Sequence, residues 1–213
     1  MKKLMAGLVI FSVFTLVGCK PKEQKEALAK VDFISGAVSV NGKDAHVGDS
    51  IKNGDVIETG DNSTARLRLD KKTMVQIKKN SRLVYKIPQE NTLYLERGWM
   101  SGITKAKFTK SGSYTIKTPT VAAAVRGTSY CLKVENPKST YFCTCNGTIH
   151  QHGLHDEDHA EDVSTPHHAG RRYVQGEDGK IAVKTAGMEF HTDQDLEDLA
   201  KTIDETIDWT KVQ

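Results

Sequence analysis

Thiol and imidazole side chains are the residues of this chain best suited to chemistry. Cys143 and Cys145 form a Cys-x-Cys pair, and His150 and His152 follow as His-x-His. His167-His168 and His191 come after them, and six of the eight histidines fall between residues 150 and 168. Thiolates and imidazoles together suit Zn²⁺ or copper, and they also serve as axial ligands of haem. Asn146-Gly147 lies between the two pairs and has the composition of a two-residue hairpin turn. In that register Cys145 faces Thr148, Cys143 faces His150 and Tyr141 faces His152. Opposed residues share a sheet face, as do residues two apart. Cys143, Cys145, His150 and His152 are therefore predicted to project from one side, with His167, His168 and His191 as further candidate ligands.

A plainer reading of the same residues stands beside this one. Cys131, Cys143 and Cys145 are an odd number of thiols for an oxidising compartment. A bond between Cys143 and Cys145 is awkward on a regular strand, so a disulfide would join Cys131 to one of them. The stretch from His150 to Asp162 would then be a solvated polar loop. A Cys-x-Cys pair also admits thiol redox chemistry, although no thioredoxin-like βαβ pattern surrounds it. There is no Gly-x-Ser-x-Gly elbow, phosphate-binding glycine loop or His-Glu-x-x-His. A non-enzymatic protein is expected.

The elements that must position these residues are mostly strands. Asn41-Gly42 is a hairpin signal, and Gly48-Asp49, Gly54-Asp55 and Gly60-Asp61 mark turns at six-residue spacing. Ala65-Arg66-Leu67-Arg68-Leu69 alternates strictly, with one apolar and one basic face. Tyr114 to Thr118 stops at Pro119, which cannot donate to a central ladder. Many short strands with close turns predict a mainly β fold, a sandwich, barrel or short solenoid. Near the C-terminus Thr192 and Asp195 have capping-box spacing. Leu196, Leu199, Ile203 and Ile207 form the apolar stripe of an amphipathic helix from Asp193 to about Asp208.

The first residues set a compartment. Lys2 and Lys3 precede an apolar run from Leu4 to Val17, too short to span a bilayer comfortably and suited to a secretory leader. Leu16-Val17-Gly18-Cys19 resembles a bacterial lipobox, which implies acylation of Cys19 and durable anchoring to a membrane. Lys20 after the cysteine, by resemblance to enteric sorting, favours the outer membrane. The expected organisation is a leader (1–18), acylated Cys19 with a tether (19–30), a β-domain (31–149), a His-rich loop with β extension (150–190) and a helical C-terminus (191–213). The chain has 38% hydrophobic and 27% charged residues, which suits a folded domain. Its net charge of +3 includes Lys2 and Lys3 of the leader. The near-neutral remainder argues against nucleic acid as a partner and leaves the membrane and other envelope proteins.

Several motifs follow one another in a fixed order. Gly36-Ala37-Val38-Ser39-Val40 comes first, then Gly54-Asp55-Val56-Ile57-Glu58-Thr59-Gly60, then Ser63 to Leu69. Thr118-Pro119-Thr120 and Val125-Arg126-Gly127-Thr128-Ser129-Tyr130 complete the series. From about Gly36 to Ile149 this order resembles the FecR-type domain. The motif positions are Gly54, Asp55, Thr59, Gly60, Arg126, Gly127 and Thr128. Physically these read mostly as structural, with Gly127 serving a backbone conformation that a Cβ would oppose. Arg126 is suited to pair with a turn Asp or a partner's carboxylate. The resemblance implies a periplasmic sensing or scaffolding module with a compact β fold. Typical members cross the inner membrane and control a sigma factor from a cytoplasmic part. No segment after the leader is apolar enough to span, so that activity is not carried over.

Overall fold

The structure is a computed structural model that describes residues 27–86, 92–105 and 114–213. The leader, Cys19 and most of the tether lie outside the described residues. Strands run in order as β1 (Ala27–Ser35), β2 (Val38–Val40), β3 (Lys43–Asp44), β4 (Ser50–Lys52), β5 (Val56–Thr59), β6 (Thr64–Asp70), β7 (Thr73–Ile77) and β8 (Arg82–Lys86). They continue as β9 (Thr92–Thr104), β10 (Tyr114–Lys117), β11 (Val121–Val125), β12 (Ser129–Asn136), β13 (Ser139–Gly153), β14 (Asp156–Thr165), β15 (Ala169–Gln175) and β16 (Ile181–Ala186). One helix, α1 (Asp193–Lys201), follows.

The strands form two sheets. The first runs β4-β1-β6-β7-β9-β12-β13-β15-β16. The second runs β3-β2-β5-β8-β9-β10-β11-β13-β14. All these pairs are antiparallel except β9 with β10. Two long strands belong to both sheets. Residues 92–97 of β9 pair with β8 and β10, and residues 98–104 with β7 and β12. In the same way β13 leaves the first sheet at residue 146 and enters the second at 147. A glycine stands at each crossing, Gly98 with φ +94° and Gly147 with φ +113°.

Alternation along the strands fills the space between the sheets. Val31, Leu67, Val75, Leu132 and Phe142 from the first sheet join Ile57, Leu83, Leu93, Ile116 and Ile149 from the second in one buried cluster. Of the three architectures open to the sequence, the fold is the sandwich, stitched at two strands.

The turn motifs hold its edges. Asn41 and Gly42 both have positive φ, as the hairpin between β2 and β3 requires. Asp55 accepts the Lys52 amide at 2.7 Å and the Asn41 side-chain amide at 2.9 Å, clamping two turns. Gly54 donates its N–H to Tyr85 O at 2.7 Å, and Gly60 to Ala37 O at 2.9 Å. The Thr59 hydroxyl donates to Lys78 O at 2.6 Å and accepts the Ser81 amide at 3.0 Å. Gly127 has φ +64°, Thr128 O accepts the Thr104 amide at 2.9 Å, and Arg126 is exposed. Wherever their bonds are described, these motif residues work inside the fold.

Four expectations are corrected. Asn146-Gly147 is no hairpin; β13 runs through it. Asn146 pairs with Ser129 on β12 and Gly147 with Thr165 on β14, so long-range ladders claim both residues. The stretch from His150 to Asp162 is strand rather than loop over most of its length, because β13 and β14 pair along it. The helix ends at Lys201, short of Asp208, and β1 begins at Ala27, inside the expected tether.

The outer face of the first sheet is covered by α1 and the chain after it. Thr192 caps α1, and Asp195 closes the capping box. Leu199, Ala200 and Ile203 pack on Met74 and Ile103, and Leu196 packs on Cys131, Tyr141, Cys143 and Cys145. Arg68 donates to Thr202 O at 2.9 Å, Lys72 pairs with Glu205, and Lys78 reaches Asp195 at 2.9 Å.

Burial raises the Asp195 pKa, but the Lys78 ammonium and the Thr192 donors outweigh it and hold the carboxyl below its usual range. A folded-state pKa that is depressed stabilises fully above the unfolded value and loses that contribution as pH falls through the folded one. Asp195→Asn should cost about 1 kcal/mol at neutral pH. Thermal melts should show the gap to wild type closing as pH drops below about 4.

Candidate metal centre

The outward side of β13 starts the site. Phe142 points into the sandwich core, while Tyr141, Cys143 and Cys145 lie on the opposite face under α1. Both cysteines are fully buried. Cys131 on β12 is the direct register partner of Cys143 and accepts the Trp99 indole N–H at 3.0 Å. All three thiols are free, so the disulfide that the plainer reading allowed is not present among them.

Two further segments bring histidines to this face. The connection between β14 and β15 carries His168, whose φ of +47° lies in the left-handed region. Its amide donates to Cys145 O at 2.9 Å, which fixes the residue beside the thiols. The link from β16 to α1 carries His191. This link passes directly over Gly170 of β15, where a Cβ would meet the Ala186 and Gly187 carbonyls at 2.7 Å each. The Tyr141 hydroxyl donates to Gly187 O and accepts the Glu189 amide, both at 2.9 Å. Phe190 packs edge-on against Trp99 and Tyr141, with the Lys133 ammonium 4.0 Å from its ring centre. These contacts deliver His191 to the cysteines.

One donor atom from each of Cys143, Cys145, His168 and His191 lies within 4.8 Å of the other three. Cys145 Sγ is 3.3 Å from His191 Nε2, Cys143 Sγ is 3.7 Å from His168 Nδ1, and those two nitrogens are 3.2 Å apart. A tetrahedral ion with bonds of about 2.3 Å to sulfur and about 2.0 Å to nitrogen sets its donors roughly 3.3–3.8 Å apart. The far nitrogens are already engaged. His191 Nδ1 lies 2.7 Å from Glu189 O, and His168 Nε2 lies 2.7 Å from Asp193 Oδ1. A carbonyl must accept, so His191 donates from Nδ1 and its Nε2 is the nitrogen turned inward. A carboxylate behind His168 does the same for Nδ1. Such outer partners orient metal-binding imidazoles and raise their basicity. The closeness that suits a bare ion leaves no slot between the donors for a haem macrocycle.

Charge and hydrogen bonding tie these groups to one another. The Cys145 S–H, then His168 and His191, draw the Cys143 thiol down to about 3 against the effect of burial. Burial and the neighbouring Cys143 thiolate push Cys145 well above the ordinary thiol range. Burial opposes the charge on His191, yet Cys131 and Cys143 raise it to about 10. His168 also rises, against burial, through Cys143 and Asp193.

The remaining candidates lie elsewhere. His150 and His152 pair with Ala124 and Ala122 of β11 in the second sheet. His150 Nδ1 is 2.8 Å from Asp162, and His152 Nδ1 is 2.9 Å from Gly153 O. They do not join the cysteines, because β13 changes sheets at Gly147 instead of reversing. His167 sits at the rim, 3.0 Å from Asp193 Oδ2. Asp193 and Trp209 belong to the site and were not singled out in the sequence. The His191-x-Asp193 spacing was a signal for the first; Trp209 offered none.

The fold and site together describe a mainly β module with a closed sulfur and nitrogen cluster on one sheet face, under a short helix. The family described as FecR protein matches residues 55–150, and over that stretch the chain is similar to FecR proteins. Cys143 and Cys145 fall inside the match, and His168 and His191 fall beyond it. Two crystal structures, at 1.65 Å and 2.50 Å resolution, are described as a "putative anti-sigma factor" from Parabacteroides distasonis ATCC 8503. Each superposes with a TM-score of 0.48 at 12% identity, over 62% of this chain and 60% of the other. The match thus spans about three-fifths of those chains. No curated protein matches. No helix among the described residues is long and apolar enough to cross a membrane.

Gly170 tests the delivery of His191. Gly170→Ala should destabilise by about 1–3 kcal/mol through overpacking against two carbonyls. Hydrogen exchange at the Glu189 amide should quicken with it. Gly187→Ala, with nothing within 4 Å of the added Cβ, should leave both nearly unchanged.

Proposed function

We propose that this chain is an envelope-anchored, non-enzymatic FecR-type module that holds one Zn²⁺ or copper ion at Cys143, Cys145, His168 and His191. The observation that carries the metal reading is the convergence of two thiols and two imidazoles within 4.8 Å, with the outer nitrogen of each ring already engaged. Two thiolates would neutralise a dication in a site closed to water, which suits a held ion more than a hydrolytic one that keeps an open position. The ion would also tie the segment before α1 to β13. A sensing or scaffolding role is supported by the FecR match and by a sandwich whose motif residues are spent on its own turns. Anchoring is supported by Leu16-Val17-Gly18-Cys19 alone.

Metal analysis of the reduced, tag-free protein should find one equivalent of zinc or copper. Cys143→Ser and His191→Ala should each reduce it below a tenth, while His150→Ala with His152→Ala should leave it unchanged. A wild-type protein that binds only traces in the presence of excess ion defeats the metal reading. Anchoring is tested separately: Cys19→Ala should leave an unprocessed precursor that takes up no radiolabelled fatty acid. Normal processing and labelling of that variant would remove the lipid anchor from the proposal.

A further inference from the structure

His168 belongs to two ligand clusters. Its Nδ1 faces Cys143 and His191, and its Nε2 faces Asp193. The Asp193 carboxylate bridges outward, with Oδ1 2.7 Å from His168 Nε2 and Oδ2 3.0 Å from His167 Nε2. His167, His168 and Asp193 thus form a second set of donors, again within 4.8 Å of one another. Exposure divides the two sets. The side chains of His167 and Asp193 are 48% and 40% exposed, His168 is 7% exposed, and the thiols are fully buried. One imidazole is the only member common to the wet set and the dry one.

We propose that His167, Asp193 and the outer nitrogen of His168 form an entry site, where a hydrated transition-metal dication is first bound before it passes to the buried centre. This rests on the reading that Cys143, Cys145, His168 and His191 hold an ion. A hydrated dication exchanges its waters most readily for carboxylate and imidazole at a surface, and soft thiolates then outcompete those ligands. The entry set is also built to let go. Asp193 is the first residue of α1, and the positive end of a helix dipole disfavours a lasting cation there. Trp209 covers the step, with its ring centre 5.0 Å from that of His167 and 5.2 Å from that of His168.

The transfer balances on one ring. With the ion outside, His168 Nε2 is the ligand and Nδ1 carries the proton. As the ion moves inward it leaves Nε2 and bonds Nδ1. Nδ1 gives its proton to solvent, Nε2 takes one back, and the new N–H donates to Asp193. Thiol protons displaced by the ion leave to water, and no electrons move.

Loading of metal-free, full-length protein in detergent with Co²⁺ tests this. Stopped-flow absorbance follows the thiolate–cobalt band, and release is followed by mixing the loaded protein with a chelator. An entry residue alters both rates and leaves the equilibrium alone. His167→Ala should load and release at least tenfold more slowly, with one equivalent bound, an unchanged cobalt spectrum and an unchanged dissociation constant. His167→Asp keeps a surface ligand and should recover loading to within about threefold. Loading of His167→Ala within twofold of wild type overturns the proposal. So does a tenfold weaker dissociation constant with unchanged loading, which would make His167 a support for His168. Failure of His167→Asp to rescue would assign the effect to the Trp209 contact and overturn it too. Wild-type protein that develops no thiolate–cobalt band defeats the buried centre itself, a result distinct from all of these.

Discussion

The two-residue repeat of β13 governs the chemistry of this molecule. A strand in a sandwich has one face committed to the core, and Phe142 meets that commitment between the sheets. The other face is free to carry something else, and here it carries Tyr141, Cys143 and Cys145. Thiols there would face water if the sheet were bare. Because α1 and the chain around it lie over that face, both sides of the strand are dry. A dry, close pair of sulfur atoms raises the demand for partners, since a buried charge or donor left alone is costly. His168 and His191 answer that demand from two separate segments.

The covering segment does not depend on the cluster for its attachment. Leu199, Ala200 and Ile203 are packed on Met74 and Ile103, away from the thiols. Arg68 and Lys78 hold the two ends of α1. The Asn146 side-chain amide lies within bonding distance of the Pro166, Asp208 and Lys211 carbonyls, so the tail is tied down next to Cys145. The donors are therefore brought together by the fold. An ion entering such a set spends little of its binding energy on ordering the chain, in contrast to small domains that fold only around their metal.

The sequence made the strand character, the Asn41-Gly42 hairpin and the capping box readable, because each is settled by residues close together in the chain. The shared face of Cys143 and Cys145 was equally readable, since it needs only the period of a strand. The partners were harder. Asn-Gly serves a tight turn or a bend with equal ease, since Gly147 needs positive φ for either. What decides between them is whether distant strands pair with the residues beyond. β11 and β14 claim residues 147–153, and that claim moves His150 and His152 to the other sheet. His168 and His191 could be nominated by type, but their arrival depends on Gly170 letting one segment pass over another. Trp209 was silent for the same reason, because its place follows from where the tail is bound.

The family match ends between the two halves of the cluster. The matched stretch supplies Cys143 and Cys145 on a strand of the sandwich, and the following residues supply both imidazoles and the carboxylate behind one of them. Neither half is a metal site alone. Two thiols on one strand lack the count for a closed tetrahedral site, and His168 with His191 would sit on two loosely related segments without β13 to receive them. The chemistry is thus a property of how the C-terminal extension docks, and the sandwich sets only its address. This sandwich with another extension would keep the turn clamps at Asp55 and Thr59 and lose His168 and His191. Conversely, any signal that loosens the extension acts on His191 and His168 together, because one lies in the link that crosses β15 and the other directly precedes that strand. The packing of α1 on Met74 and Ile103 holds the extension without them, so its docking comes first and the four donor atoms meet as its consequence.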